Sequence, residues 1–144
     1  MRLDEFCFGE RWVRKMVDGK SGTGVRVLMI DDDPDLRTGV KLVLEIEGFQ
    51  VATASSGPEG IEMAAMSPPD VIVLDVEMPL MTGPETLREL RRIPAIDESR
   101  VIFLTGKVDL DAMEETFMEN AQGYLLKPFA PIELLNKIDE VLGR

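Results

Sequence analysis

The stretch Val71-Ile72-Val73-Leu74-Asp75-Val76-Glu77-Met78-Pro79 decides the fold, because a short apolar run in it ends abruptly in acidic residues. Runs of Val, Ile and Leu of this length are typical of strands buried on both faces of a parallel sheet. Four other runs of similar composition occur along the chain. The five predicted strands are residues 25–30, 49–52, 71–75, 101–104 and 123–126.

Amphipathic stretches with helical spacing separate these strands. The predicted helices are residues 35–47, 56–66, 84–92, 110–120 and 131–142. Gly48 follows the first of them at a typical C-terminal position, and Ser56 precedes Pro58 at the start of the second. The alternation predicts an α/β fold of the (βα)5 type, a flavodoxin-like doubly wound parallel sheet with strand order 2-1-3-4-5.

Composition excludes several kinds of chemistry. The 144 residues include 16 Lys and Arg, 27 Asp and Glu, no His and a single Cys, with a formal net charge of −11. Without histidine the chain has no Ser-His-Asp triad, no His-bearing zinc site and no phosphohistidine of its own. A single cysteine excludes an internal disulfide. The acidic balance disfavours direct binding to nucleic acid or to anionic membranes. No membrane-spanning run or signal peptide is evident, and we therefore expect a cytoplasmic protein.

The first 24 residues differ in charge from the remainder. They carry five bases and four acids, a net charge of +1, whereas residues 25–144 carry 11 bases and 23 acids, a net charge of −12. The sequence predicts an N-terminal extension over residues 1–24, closed by a Ser-Gly-Thr-Gly linker, and one domain over residues 25–144. Six apolar residues leave two interpretations of the extension open, a partly disordered tail or a helix that docks on this domain or a partner. They are Phe6, Phe8, Trp12, Val13, Met16 and Val17.

Acidic residues follow the first and third predicted strands. Asp31, Asp32 and Asp75 meet at one edge in the predicted strand order, where two carboxylates 4 Å apart repel by about 4 kcal/mol at an effective dielectric near 20. A cation is therefore needed. A solvated acidic turn is one alternative for the first cluster. An EF-hand calcium loop is another, but Leu36 and Leu42 replace the Gly and Glu that such a loop requires.

The last two strands end in a hydroxyl and an ammonium. Thr105-Gly106 follows the fourth strand and Lys127-Pro128 follows the fifth. Three carboxylates, a hydroxyl and an ammonium at the same end of a parallel sheet are suited to Mg²⁺ and a phosphoryl group. Because an aspartate can itself accept a phosphoryl group, the missing histidine is no obstacle.

Residues 25–144 resemble the receiver domain of two-component response regulators. The resemblance depends on four motifs in the expected order. They are Val27-Leu28-Met29-Ile30-Asp31-Asp32-Asp33, Val73-Leu74-Asp75-Val76-Glu77-Met78-Pro79, Phe103-Leu104-Thr105-Gly106 and Tyr124-Leu125-Leu126-Lys127-Pro128-Phe129.

The resemblance implies a role for each acid at the site. Asp75 would be the phosphoacceptor, supplied by a phosphohistidine on a sensor histidine kinase or a histidine phosphotransfer protein. Asp32, Asp75 and the backbone carbonyl of Glu77 would bind Mg²⁺ directly, and Asp31 would act mostly through a coordinated water. Lys127 would pair with Asp75 before transfer and with the phosphoryl oxygen afterwards.

The resemblance also implies a switch. Thr105 would move to bond the phosphoryl group and vacate space for Tyr124, while the N–H of Gly106 would donate to the phosphate. The Lys127-Pro128 peptide would be cis. The helix at 110–120, the Tyr124 strand and the helix at 131–142 would form the face that changes.

The predicted protein is thus a binding and switching module that catalyses only its own phosphorylation and dephosphorylation. We expect no output domain after residue 142 unless the chain is a piece of a larger protein. This face would then bind a downstream protein or a separate output domain, or form a phosphorylation-dependent homodimer. The alternative is an aspartyl-phosphate phosphatase of the haloacid dehalogenase type, whose acid spacing Asp75-Val76-Glu77 loosely matches. Glu77 in place of a second Asp and the lack of a cap segment argue against that enzyme.

Overall fold

The computed structural model describes Gly22, residues 24–106 and residues 121–144. Five parallel strands form one sheet in the order β2-β1-β3-β4-β5, which confirms the predicted topology. The strands are β1 Arg26–Ile30, β2 Gln50–Ala54, β3 Val71–Asp75, β4 Arg100–Thr105 and β5 Gly123–Leu126.

Four α-helices lie in the described part of the chain, with a single 3₁₀ turn at Pro94–Ile96 after the third. They are α1 Pro34–Ile46, α2 Gly57–Met66, α3 Gly83–Leu90 and α4 Pro131–Leu142. Each begins within one residue of its prediction, and α3 ends two residues early. The helix predicted at 110–120 lies outside the described residues.

Side-chain caps determine where the helices begin. Asp33 accepts hydrogen bonds from the N–H groups of Asp35 and Leu36 at the start of α1, and Ser56 caps α2. Thr82 and Glu85 form a reciprocal capping box at the start of α3, which satisfies donors that a helix end leaves without partners.

The sheet separates two apolar layers, as expected of a doubly wound fold. α2 and α3 pack on one face, where Ile72 and Leu90 are fully buried. α1 and α4 pack on the other, where Leu44 and Ile138 are fully buried. None of the helices in the described ranges has the length and apolarity needed to cross a lipid bilayer.

Strand β2 differs from the prediction of strands covered on both faces. Its burial alternates, with Gln50 and Ala52 exposed and Ala54 buried. Among the described strands β2 lies at the edge of the sheet with β1 as its one neighbour, so less of its surface is covered. Pairing with β1 extends β2 to Ala54, opposite Ile30.

The domain makes contact with its N-terminal side at Gly22. The Gly22 N–H donates to the Glu47 carbonyl at 2.8 Å, and a β-carbon on Gly22 would overlap the ring of Phe49. The domain contacts therefore begin three residues before the predicted domain start. Residues 1–21 lie outside the described part.

Candidate functional site

Strand register brings the predicted site residues to one edge of the sheet. Ile30 pairs with Leu74, so the residues that follow them in β1 and β3 are neighbours. Asp75 pairs with Leu104, and Thr105 pairs with Leu126, the residue before Lys127. Ends of strands that are distant in sequence therefore form one site, as the strand order predicted.

Three carboxylates converge at this edge. Asp31 is fully buried, Asp75 is 4% exposed and Asp32 is exposed. One carboxylate oxygen from each lies within 4.8 Å of the other two. Burying carboxylates this close together costs several kcal/mol per charge unless a cation compensates them.

Lys127 supplies one such cation. Its Nζ lies 2.9 Å from Oδ2 of Asp31 and 3.2 Å from Oδ1 of Asp75. Burial by itself would lower the pKa of Lys127, but the two carboxylates outweigh it and the pKa is raised above its usual value. Lys127 therefore remains protonated and bridges the first and third strands.

The two acids in contact with Lys127 differ in the other hydrogen bonds that they accept. Oδ1 of Asp31 accepts the Asp33 N–H at 2.9 Å, and the Asp31 carbonyl accepts a hydrogen bond from Arg37 at 2.7 Å. Oδ1 of Asp75 accepts the Glu77 N–H at the longer distance of 3.3 Å. Of the two carboxylates, that of Asp31 accepts the shorter backbone hydrogen bond.

Asp75 has a perturbed acidity. Burial first, and the neighbouring Asp31 charge second, raise the pKa of Asp75 from 3.8 to about 6, although Lys127 and the Glu77 N–H partly oppose them. Carboxyl groups with a shifted pKa that lie in a cleft are common at functional sites. Near pH 7 Asp75 is still largely ionised, and its charge is incompletely compensated.

The carboxylate cluster fits Mg²⁺. Hard divalent cations prefer oxygen ligands, and Mg²⁺ takes few carboxylates together with water and phosphate oxygens. Asp31, Asp32 and Asp75 offer three carboxylates within reach of one ion, and Lys127 offsets only part of their charge. These three acids would hold the metal, which would neutralise phosphoryl oxygens bound beside it.

The hydroxyl and ring residues predicted as a switch lie on neighbouring strands. Thr105 is 1% exposed, and its Oγ1 donates to the Gly106 carbonyl at 3.0 Å. Tyr124 is half-buried and pairs with Phe103 in the sheet, their rings stacked with centroids 6.1 Å apart. Burial raises the pKa of Tyr124, so its hydroxyl stays neutral. The Lys127-Pro128 peptide is cis, as expected.

Two residues that the sequence did not single out, Gly83 and Leu80, shape the loop after β3. Gly83 donates its N–H to the Val76 carbonyl at 2.9 Å, and a β-carbon there would overlap the Asp75 carbonyl oxygen. Leu80 has a positive φ of 70° and is fully exposed. The glycine was visible in the sequence, but its close approach to β3 depends on tertiary packing.

Two polar residues near Asp31 were also missed. Arg37 donates a hydrogen bond to the Asp31 carbonyl, and Asp33 caps the N-terminus of α1. An Asp directly before Pro34 is a recognisable helix-start signal, so the role of Asp33 was open to prediction.

Comparison with known proteins gives consistent matches. The family model described as the response regulator receiver domain matches residues 27–139. The cell cycle transcriptional regulator CtrA of Caulobacter vibrioides is 35% identical over 120 residues, 83% of this chain and 51% of CtrA. The response regulator MprA of Mycobacterium leprae is 37% identical over 120 residues, 83% of this chain and 52% of MprA. The chain therefore spans about half the length of these curated relatives.

A solved structure gives the same match in three dimensions. The chemotaxis response regulator CheY4 of Vibrio cholerae superposes with a TM-score of 0.77 at 34% identity, covering 83% of this chain and 99% of that one. The haloacid dehalogenase alternative gains no support from these matches.

Proposed function

The chain belongs to the response regulator receiver domain family, and from that premise we propose that it accepts a phosphoryl group on Asp75. The donor is a phosphohistidine on a sensor histidine kinase or a histidine phosphotransfer protein, and the reaction depends on Mg²⁺. One observation carries the proposal. Asp75 is a buried carboxylate at the end of a central strand, in contact with Lys127 and beside two further acids.

The chemistry needs no histidine on this chain. A carboxylate oxygen of Asp75 forms a bond to phosphorus, the P–N bond of the donor breaks, and the electron pair returns to the imidazole nitrogen. The product is an acyl phosphate on Asp75. Its hydrolysis by water returns inorganic phosphate and the free carboxylate.

The charges around Asp75 support this reaction. Lys127 places a protonated ammonium 3.2 Å from Oδ1 of Asp75, where it can offset charge that accumulates on the phosphoryl oxygens. Mg²⁺, when bound by Asp31, Asp32 and Asp75, adds charge neutralisation at the same place. We assign the Glu77 carbonyl as a further metal ligand.

Thr105, at the end of β4, lies between the site and Tyr124 on the neighbouring strand β5 in the switch that we propose. We assign its hydroxyl, which now donates to the Gly106 carbonyl, as the group that turns to the phosphoryl oxygens, with the Gly106 N–H as a second donor. Tyr124 then occupies the space that Thr105 leaves. The face that changes comprises residues 110–120, β5 and α4, and it binds a downstream protein, an output domain or a second phosphorylated copy.

This function makes the chain a signalling component that turns over no separate metabolite. CtrA is named as a transcriptional regulator, and about half of its length has no counterpart here. Because a net charge of −11 disfavours binding to phosphate backbones and anionic membranes, we assign no direct nucleic-acid binding to this chain, and no membrane contact. We place it in the cytoplasm, where kinases that draw on ATP form phosphohistidine.

Incubation with acetyl phosphate and Mg²⁺, followed by intact mass measurement, tests the proposal. The wild type is expected to gain one labile phosphoryl group, and Asp75→Asn none. Asp35→Asn is the matched control, because it removes an exposed acid of the same acidic run outside the carboxylate cluster. A phosphoryl adduct on Asp75→Asn, or none on the wild type, would refute the assignment. Rapid turnover of a general phosphatase substrate would instead favour the haloacid dehalogenase alternative.

A further inference from the structure

Two large apolar side chains are exposed together on helix α1. Leu42 is 60% exposed and Ile46 is 57% exposed, and their separation of four residues places them on the same side of the helix. Val40 and Leu44, by contrast, face the sheet and are buried. Leu42 and Ile46, which we call the α1 patch, thus form an apolar surface at the C-terminal half of α1. Exposed Glu45 lies between them in sequence.

The N-terminal side of the chain arrives beside the α1 patch. The Gly22 N–H donates to the carbonyl of Glu47, the residue after Ile46. The Val25 N–H donates to the Gly22 carbonyl at 3.0 Å, and the Phe49 ring lies against Gly22. These contacts fix the point where residues 1–21 join the domain, within one turn of the patch.

Residues 1–21 have the composition that such a surface requires. Their large apolar residues include Trp12 and Met16, four positions apart, and Val13 and Val17, also four apart. Bases are interleaved with them at Arg11, Arg14 and Lys15. The segment up to residue 24 carries a net charge of +1, opposite in sign to the −12 of the domain.

We propose that residues 1–21 dock on the α1 patch of their own chain, with Trp12 as the principal apolar contact and the neighbouring bases facing Glu45. Docking removes apolar surface of both partners from water. Because the segment is attached next to the patch, its effective concentration is high, on the order of mM for a short linker. This inference is independent of the phosphoacceptor function, since it uses no residue of the carboxylate site.

Trp12 is the single tryptophan of the chain, so its fluorescence reports on the segment directly. In the wild type we expect blue-shifted emission and restricted quenching by acrylamide. The double variant Leu42→Ser, Ile46→Ser is expected to shift the emission to longer wavelength. It should lower the ratio of docked to undocked segment by about tenfold or more, because the loss of one buried apolar side chain changes an equilibrium constant by about that factor.

Met66→Ser is the matched control. Met66 is 82% exposed and belongs to α2, on the opposite face of the sheet, so its loss is expected to leave Trp12 emission unchanged. All three proteins should unfold cooperatively in urea, which shows that the variants are folded without reference to the phosphoacceptor function.

Three results would overturn the proposal. The first is full acrylamide access to Trp12 in the wild type, and the second is protection that survives loss of both patch residues. The third is protection that falls on dilution together with a dimer in sedimentation, which would assign the patch to a second copy.

Discussion

The ammonium of Lys127 lies 2.9 Å from the fully buried Oδ2 of Asp31, across 96 residues of sequence. This ion pair joins the turn after β1 to the end of β5. The same ammonium reaches Asp75 at 3.2 Å, so one cation compensates two acids. Lys127 therefore stabilises the metal-free domain and also belongs to the site proposed for phosphoryl transfer.

Replacing Lys127 by methionine should destabilise the metal-free protein by about 2 to 4 kcal/mol, because two neighbouring carboxylates lose their cation. We expect a smaller loss of stability than the largest losses seen when a buried ion pair is broken, because the Lys127 side chain is 30% exposed. Urea unfolding in EDTA measures the loss, and added Mg²⁺ should recover part of it.

Lys137→Met serves as the control for this change. Lys137 pairs with Glu140, whose side chain is 69% exposed, and such surface pairs contribute about 0–1 kcal/mol. Equal losses in the two variants would show that Lys127 has no special role in compensating the buried acids.

Replacing Asp75 by asparagine should stabilise the metal-free protein near pH 7 by about 1 to 3 kcal/mol. The pKa of Asp75 is raised from 3.8 to about 6 in the folded state. The folded protein therefore binds this proton more tightly than the unfolded chain, and wild-type stability falls as the pH rises between these two values. The loss of stability caused by ionised Asp75 in the folded protein is complete above about pH 6 and absent below about pH 4.

Urea unfolding of Asp75→Asn and the wild type at pH 4 and pH 7 in EDTA checks the direction of this pH dependence. The gain from the substitution should be present at pH 7 and vanish at pH 4, whereas Asp35→Asn should change stability little at either pH. A gain that is the same at both pH values would contradict the raised pKa of Asp75.

Much of the site was predictable because β1, β3, β4 and β5 are short apolar runs that end in a polar residue or are directly followed by one. The run 71–75 predicts β3 at its observed bounds, and parallel packing then brings Asp31, Asp75 and Lys127 to one edge. Strand β2 was less predictable. Its exposed side carries polar Gln50, so the apolar run is shorter than the strand, and the hydrogen bonds to β1 determine where it ends.

Other features depend on distances that a linear pattern does not contain. The Arg37 side chain reaches back to the Asp31 carbonyl because α1 turns directly beneath the acidic run. The contact of Gly22 with Phe49 joins residues on either side of β1 and α1, so it depends on how α1 packs against the sheet. The roles of residues 107–120 lie outside the described residues and stay predictions.

Replacing Thr105 by valine should slow adduct formation with acetyl phosphate by about tenfold to a hundredfold, because a preorganised hydroxyl donor is lost. The change is nearly isosteric, and Thr105 is buried, so the fold should survive. Thr105→Ser retains the hydroxyl and should recover most of the rate. Mass spectrometry over a time course measures both, and equal rates in the valine variant and the wild type would exclude a role for the hydroxyl.

Replacing Leu80 by glycine should raise the free energy of unfolding by up to about 1 kcal/mol. A side chain at φ 70° costs about 1–2 kcal/mol that glycine avoids, less the entropy that glycine loses on folding. Nothing is lost in packing, because Leu80 is fully exposed. Leu80→Ala keeps a β-carbon in the same conformation and should give no such gain. If alanine stabilises the protein as much as glycine, backbone strain at Leu80 is not the cause.

Two glycine-to-alanine changes should have opposite effects. Gly83→Ala should destabilise the protein by about 1–3 kcal/mol, since its β-carbon would overlap the Asp75 carbonyl oxygen and lie 2.8 Å from the Val76 Cα, which forces the backbone to shift. Gly39→Ala, within α1, has nothing within 4 Å of its β-carbon and should stabilise the helix by about 0.5–1 kcal/mol. Because the Gly83 shift moves the backbone of Asp75, adduct formation with acetyl phosphate should slow in Gly83→Ala alone. Urea unfolding and the adduct time course measure the two effects. A Gly83→Ala protein that matches Gly39→Ala in both would show that the loop after β3 can accommodate a β-carbon at residue 83.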